Sequence, residues 1–392
     1  MGGLNEGLKK NLKYSKHFKD VINYLSTLES FEVDKYRIPN KLIVRKIKNP
    51  EALYLVDPKV AKEIVDVIRD ELLKNDTIVF EANPGFGYLT SQMLEAGVRR
   101  IHAFETITPF REVMAQLSET TDRLRLFTTN MIQVWKIAYL DRLDNGSRLR
   151  GLMAGVETRR WEEDSVVKFV GAVPSSKFMK HIILSIIFQS GIVLYGRPEF
   201  YILMNPHTYI HLTIGRSVAH LAYSPITVIF DLFFDWKPLT SVDRRAFLPW
   251  QPHGLKPKIE VIISIYKLDP DKLYLVKMVP KRDLYERIPL EMMKPFWYFV
   301  NHNLTSKRLR VIAQLERWVP GCGPRLIGRF GMTIFTEFMD LTPQDILELF
   351  LEFTSWPEYT SCPFLPAMES LLIKLDNEAT LESEDDEKTD EE

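Results

Sequence analysis

The run from Thr77 to Ala96 constrains this chain more than any other. Thr77-Ile78-Val79-Phe80-Glu81 reads as a buried strand, Asn83-Pro84-Gly85-Phe86-Gly87 as a tight loop, and Tyr88 to Ala96 as a helix ended by Gly97. The same grammar surrounds it. Asp57 to Lys74 spaces Val60, Ile64, Val65, Ile68, Leu72 and Leu73 as one helix face, with Pro58 in the first turn. Arg100 to Glu105, Leu124 to Thr128 and Val166 to Val173 read as further strands, with a helix at Pro109 to Leu117. Strands separated by helices predict an α/β fold with a parallel sheet covered on both faces.

Later strands are expected at Phe200 to Met204, Thr227 to Phe234, Ile259 to Tyr266 and Lys272 to Val279, the last closing the sheet antiparallel. After Pro280 only helices are expected, at Leu290 to Asn301, Lys307 to Arg317 and Thr342 to Phe353, the last capped by Thr342-Pro343-Gln344-Asp345. The expected domains are a basic N-terminal extension (1–50), a sheet domain (51–283) with a polar insertion at about 135–164, a helical domain (284–375), and an acidic, disordered tail (376–392). No internal repeat is visible.

Charge refines this outline. The formal net charge of −1 hides an asymmetry, because the last seventeen residues hold ten acids and one base, Lys388, leaving 50 bases against 42 acids elsewhere. A basic body suits a polyanionic partner such as nucleic acid, and an ordinary solvated surface gives the same balance. Two cysteines, Cys322 and Cys362, cannot build a disulfide framework or a zinc site, which points to a reducing compartment. The most apolar stretch, Phe178 to Tyr195, is broken by Lys180, His181, Gln189 and Gly191, so a soluble chain without membrane insertion is expected. Residues 1–50 carry eleven bases and five acids without the apolar core of a secretory signal.

Chemistry concentrates at the glycine turn. Glu81 ends the first strand and Glu105 the next, 24 residues on. Glycines let a backbone approach a ligand, and an acid at the second strand's tip can accept both hydroxyls of a ribose, which suits an adenosine-containing cofactor. The third glycine of a dinucleotide fingerprint is missing, since Gly85-Phe86-Gly87-Tyr88-Leu89-Thr90 ends in threonine. An acid four residues before Gly-x-Gly fits an S-adenosylmethionine loop instead. Two plainer readings stand beside this one: a tight loop without a ligand, and Glu81 as a structural acid capping the following helix. No Walker loop, nucleophile elbow or metal-ligand spacing is present.

Together with Ala52-Leu53-Tyr54-Leu55-Val56-Asp57, Ala103-Phe104-Glu105, Val170-Gly171-Ala172-Val173-Pro174-Ser175 and Leu273 to Pro280, this loop resembles the rRNA adenine dimethyltransferase family. Within that family it is most similar to the mitochondrial branch of the second type, the transcription factor B branch, from about Ala52 to Leu375. The resemblance implies a class I S-adenosylmethionine-dependent methyltransferase (Rossmann-like) sheet with a small C-terminal all-helical domain. It also implies a cofactor site at Leu55, Glu81, Asn83, Gly85, Gly87, Glu105 and Asn130. Family enzymes grip a flipped adenine with an Asn-Leu-Pro-Tyr loop, whose amide and proline-linked carbonyl accept from the exocyclic amine while the ring stacks on the base. Here that loop is Ala172, Val173, Pro174 and Ser175, without amide or ring. Asn130 replaces the family's Asp at the cofactor's adenine. Phe178 and Trp161 are the substitutes considered for the lost ring, and core positions are the plainer reading of each.

These departures imply weak or vestigial S-adenosylmethionine binding and weak or lost methyl transfer, with no catalytic residue assigned. The branch implies a transcription initiation factor in the mitochondrial matrix and nucleoid, binding the mitochondrial RNA polymerase and melted promoter DNA, with rRNA as a further partner. The alternative is an active rRNA adenine dimethyltransferase. Single-strand binding needs a positive track and planar surfaces. Candidate contacts are Lys307, Arg308 and Arg310 at an expected helix start, Arg325 and Arg329 in the next segment, and Arg159 and Arg160 beside Trp161, each also readable as a solvated face. The acidic tail would either compete for such a track or be a passive end.

Overall fold

The computed structural model describes residues 16–44, 50–213, 223–250, 257–306 and 308–375. The acidic tail, Lys307 and residues 1–15 lie outside them. Seven strands form the main sheet: β1 (Ile78–Ala82), β2 (Ile101–Phe104), β3 (Leu124–Phe127), β4 (Val167–Ala172), β5 (Pro198–Met204), β6 (Phe234–Asp243) and β7 (Lys272–Pro280). Their order is β3-β2-β1-β4-β5-β7-β6, and β7 alone runs antiparallel to its neighbours. That order, with one reversed strand slotted next to the edge, is the class I methyltransferase sheet. Tyr54–Leu55 and Phe247–Leu248 pair separately as a two-stranded ladder.

The helices used below are α1 (Lys16–Leu25), α2 (Pro58–Leu73), α3 (Tyr88–Glu95), α4 (Thr108–Glu119), α5 (Val134–Asp144), α6 (Lys177–Phe188), α7 (Pro225–Phe233), α8 (Pro257–Ile265), α9 (Met293–Leu304), α10 (Val311–Leu315), α11 (Gly323–Phe330) and α12 (Pro343–Ser355). Alternate residues of a strand face opposite sides, and the two faces of this sheet are furnished differently. Val79, Ile101, Ala103 and Val170 join an aliphatic core with Ile64, Val65 and Ile68 of α2 and Leu89 and Met93 of α3. On the other face Phe80, Phe169 and Phe200 stand opposite one another in register, with ring centroids 5.3 and 5.2 Å apart. Such cross-strand aromatic pairs contribute roughly 0.5–1.5 kcal/mol each beyond burial. Phe178 of α6 packs on this ladder, 5.9 Å from Phe200.

The chain divides into two compact units. One takes the chain through Ser185 with Gln189–Ile210 and Phe234–Arg282; the other takes Ile186–Phe188, His211–Phe233 and the chain from Asp283. The second unit is helical, around Phe296, Phe299, Phe350, Phe353 and Phe364. Its last long helix, α12, starts with a capping box: the Asp345 amide donates to the Thr342 hydroxyl and the Thr342 amide to the Asp345 carboxylate.

Several expected elements differ. Thr227 to Phe234 is mostly α7, a helix whose Val228, Ile229, Phe230, Leu232 and Phe233 are all buried. Ile259 to Tyr266 falls mostly in α8, which begins with Pro257. A short continuous apolar run carries no period that separates strand from helix. Lys272 to Val279 is a strand but does not close the sheet, because Phe234–Asp243, unnoticed in the sequence, pairs outside it. The helix expected at Lys307 to Arg317 shrinks to α10, and Gly323–Phe330 adds an unexpected one. The 135–164 interval holds α5 and the short helix Arg148–Leu152 before a loop.

One buried charge ties α2 to the sheet. Lys168 on β4 donates to the carbonyls of Glu71 (2.7 Å), Leu72 (3.3 Å) and Lys74 at the end of α2, where orphan carbonyls favour a cation. Replacing Lys168 with Met keeps the stem and strands those acceptors, each costing about 1–3 kcal/mol if left unsatisfied. Lys168→Met is therefore expected to lower the urea midpoint by the equivalent of about 2 kcal/mol or more with an unchanged slope; an unchanged midpoint would show that the carbonyls find other donors.

Candidate functional site

Ligands of open α/β sheets bind outside the carboxyl ends of the strands. At the end of β1 the chain turns through Asn83, Gly85 and Gly87, all at positive φ (55°, 59° and 72°). Glycine is required at the last of these on two counts. An added Cβ would meet Met114 Sδ at 2.9 Å and Leu117 at 3.2 Å, so Gly87 lets α3 start against α4. Phe86, between the glycines, packs with Tyr54, Phe110, Phe18, Leu25 and Leu42. Tyr88 donates its hydroxyl to Asp34. Residues 16–44, expected as part of an extension, thus pack against the outside of the turn.

Glu105 is fully buried, and its two oxygens accept the Gly85 amide at 3.0 Å and the Ile107 amide at 2.8 Å. It clamps the tip of β2 to the glycine turn, and a carboxylate still has lone pairs left for a ribose hydroxyl. Burial raises its pKa, and those amides oppose the rise. Glu81 accepts the Thr90 hydroxyl on one oxygen at 2.6 Å. This partner is a side chain within α3, so Glu81 does not cap the helix amides. Its other oxygen, Oε1, is buried without a partner, as is Nδ2 of Asn83. Burial pushes the Glu81 carboxyl up to about 8, with the Thr90 bond opposing and the Glu105 charge adding to the rise.

A buried carboxylate oxygen and a buried amide nitrogen left unpaired at one loop fit a ligand that brings both an amine and a carboxylate. The amino-acid end of S-adenosylmethionine is such a ligand, and when bound this cofactor supplies an electrophilic methyl group. Asn130 follows β3 as a helix cap, its Oδ1 accepting the Ile132 amide at 3.0 Å. The remaining Nδ2 is a donor, which suits an adenine ring nitrogen better than its amine. Leu55 lies instead in the aliphatic core, paired across the small ladder with Phe247.

The loop after β4 is furnished in the opposite way. The Ala172 carbonyl accepts the Leu53 amide (3.2 Å), the Val173 amide donates to Leu203 (2.9 Å), and the Pro174 carbonyl accepts the Thr208 hydroxyl. Ser175 Oγ accepts the Lys177 amide at 3.2 Å. The carbonyl that could receive an adenine amine thus already accepts one hydrogen bond, from a threonine that sequence reasoning missed, and has one lone pair left. Neither considered ring substitutes for the lost one: Phe178 is in the sheet core, and Trp161 is buried with Nε1 donating to the Lys281 carbonyl at 2.9 Å.

The basic candidates separate. Arg159 is tied into its own loop through the Ser165 carbonyl and Glu157, and Arg160 is exposed but paired with Glu163. Arg325 makes a two-pronged pair with Glu358 (3.1 and 2.8 Å), and Arg329 meets Glu352 at 2.9 Å. Their charges are spent inside the helical unit. Lys307 lies outside the described residues. Arg308 sits in a turn and Arg310 is the N-cap of the five-residue α10, so neither lies inside a helix as expected. Both are exposed, without a carboxylate partner among the described residues. The Arg310 guanidinium lies 5.1 Å from the ring centroid of Phe335, which is 65% exposed. A turn braced by Thr333 and Thr336 presents that ring, and the Val311 amide bonds the Thr336 carbonyl at 2.9 Å. Phe335 escaped the sequence reading; the only signal was a lone aromatic in a threonine-flanked turn.

The model of a family described as ribosomal RNA adenine dimethylase matches residues 48–355. A Drosophila melanogaster protein named "Dimethyladenosine transferase 2, mitochondrial" is 33% identical over 402 residues, covering 90% of this chain and 89% of its own. The Homo sapiens protein of the same name is 23% identical over 312 residues, 76% of each chain. A solved dimethyladenosine transferase from Plasmodium falciparum superposes with a TM-score of 0.49 at 16% identity, over 77% of this chain and 97% of its own.

Glu81 generates a pH signature. Its folded carboxyl keeps a proton up to about pH 8, whereas the unfolded chain loses it near 4.5, so its contribution to stability falls as pH rises between those values. Glu81→Gln, which cannot ionise, is expected to gain stability relative to the parent across that window and to match it most closely at the acid end. Urea midpoints of both proteins at about pH 5 and pH 8.5 check this; a constant difference would place the carboxylate in a better-solvated setting.

Proposed function

The chain belongs to the ribosomal RNA adenine dimethylase family, and on that premise we propose that it works in the mitochondrion as a transcription initiation factor. It binds the mitochondrial RNA polymerase and holds melted promoter DNA open, while the family's adenine chemistry has been lost. The observation that carries this reading is the loop after β4. A flipped base needs an amide and a ring, beside a carbonyl, to repay the few kcal/mol of unstacking. Ala172 and Ser175 supply neither amide nor ring, and Pro174's carbonyl already accepts one bond from Thr208.

The cofactor end keeps its unpaired Glu81 and Asn83 atoms, so S-adenosylmethionine binding is retained at most as a vestige without a base to receive the methyl group. Arg308 and Arg310 with Phe335 provide what single-strand binding requires instead: cations with no carboxylate partner among the described residues, beside an exposed ring. The names of the Drosophila and human relatives support mitochondrial residence.

The test pairs two assays on the full chain. With the mitochondrial polymerase, it is expected to stimulate initiation on a duplex promoter far more than on a premelted one. Reversing Arg308 and Arg310 to Glu should reduce that stimulation and flatten the salt dependence of single-strand binding by about 1.4 in logarithmic slope. Dimethylation of a small-subunit rRNA hairpin by the unmodified protein and S-adenosylmethionine alone, at rates typical of enzymes, would overturn the reading. So would stimulation that is indifferent to promoter melting.

A further inference from the structure

We propose that Trp135 and His181, rimmed by Lys177 and Lys180, form a second contact for single-stranded nucleic acid, one that stacks an unpaired base at the carboxyl edge of the sheet. The inference deepens the proposed function and rests on it for the identity of the strand, promoter DNA. Trp135 is in the first turn of α5, which follows β3, and His181 is on α6, which begins two residues after Ser175. The topology therefore brings both rings to the end of the sheet where ligands of this architecture bind, outside the loop that has lost its grip on adenine.

The rings are 4.3 Å apart and within 14° of parallel, a face-to-face stack that holds the indole in one orientation. Both residues are half-buried, so neither is closed off from solvent. Lys136 Nζ stands 5.7 Å from the indole centroid. Lys177 and Lys180 are exposed, α6 contains no acid, and neither lysine has a carboxylate partner among the described residues. In the segment entering α5, Glu51 accepts from Gln133 at 2.9 Å. Elsewhere surface cations such as Arg148, Arg245 and Arg325 are matched to carboxylates.

Cations at the start of α6 oppose its dipole, a placement that phosphate would relieve. Burial, then the charges of Lys177, Lys180 and Lys136, push the His181 pKa down to about 4, so the imidazole is neutral near pH 7 and the positive charge resides on the rim. A flat neutral stack rimmed by the exposed Lys177 and Lys180 matches the two parts of a single strand, a base with a π-face and the phosphates on either side.

The test uses the full chain and a thymidine oligomer of about 12 nucleotides carrying one 5-iodouracil, with the matching uridine oligomer as the RNA arm. Irradiation is expected to crosslink the DNA to Trp135. Trp135→Ala should weaken binding about tenfold while Trp135→Phe retains most of it, since stacking needs only a ring. Reversing Lys177 and Lys180 to Glu should lower the logarithmic salt slope by about 1.4. Melting midpoints of the variants separate lost binding from lost folding.

Crosslinks that avoid Trp135, with Trp135→Ala binding like the parent, overturn the proposal. An RNA oligomer held clearly tighter than DNA overturns the promoter assignment. A Trp135 crosslink without any promoter opening would sink the proposed function and leave the platform. Promoter opening that depends on Arg308 and Arg310 but not on Trp135 would sink the platform alone.

Discussion

The clamp made by Glu105 is the contact on which the rest of the site depends. One buried carboxylate holds the Gly85 amide and the Ile107 amide, and so joins the ends of two neighbouring strands through a single side chain. Charge-assisted bonds to backbone amides in a dry setting are among the stronger hydrogen bonds a protein makes. With the turn held, α3 can begin at Gly87 against α4, and Glu81 is carried into a fully enclosed position. Glu81's raised pKa and its unpaired oxygen are consequences of that enclosure.

The two halves of the cleft have diverged in hydrogen bonding rather than in fold. At the glycine turn, polar atoms of Glu81 and Asn83 are buried and unpaired, a costly arrangement that a polar ligand would relieve. At the loop after β4, every acceptor named above already has a partner on Leu53, Lys177 or Thr208. A loop whose acceptors each have a partner, and which lacks the amide and the ring, offers a base little to repay its unstacking. The same accounting separates the surface cations. Arg325 and Arg329 serve the helical unit through Glu358 and Glu352, whereas Arg308, Arg310, Lys177 and Lys180 have no such acids among the described residues.

Legibility in the sequence followed the strength of local periodicity. The alternation from α2 to β4 could be read because an amphipathic helix, strand-length apolar runs and a glycine turn each leave a local mark. The runs now known as α7 and α8 could not, since their apolar residues are continuous. The site was legible in its residue types but not in its bonds. Nothing in the order of residues says that Thr208 reaches Pro174, that Arg325 meets Glu358, or that the ring beside Arg310 is Phe335.

By itself, then, the sequence determined the parallel α/β beginning, the glycine turn with its two acids, the helical C-terminal part and the absence of an amide and a ring from the base loop. These are properties of residue type and near-neighbour spacing. The tertiary structure alone decided that β6 lies outside β7, that residues 16–44 pack on the turn, and which charges are cancelled and which carbonyls are occupied. Those outcomes depend on partners tens to more than a hundred residues away, brought together only when the sheet closes and water is excluded, and no local pattern encodes them.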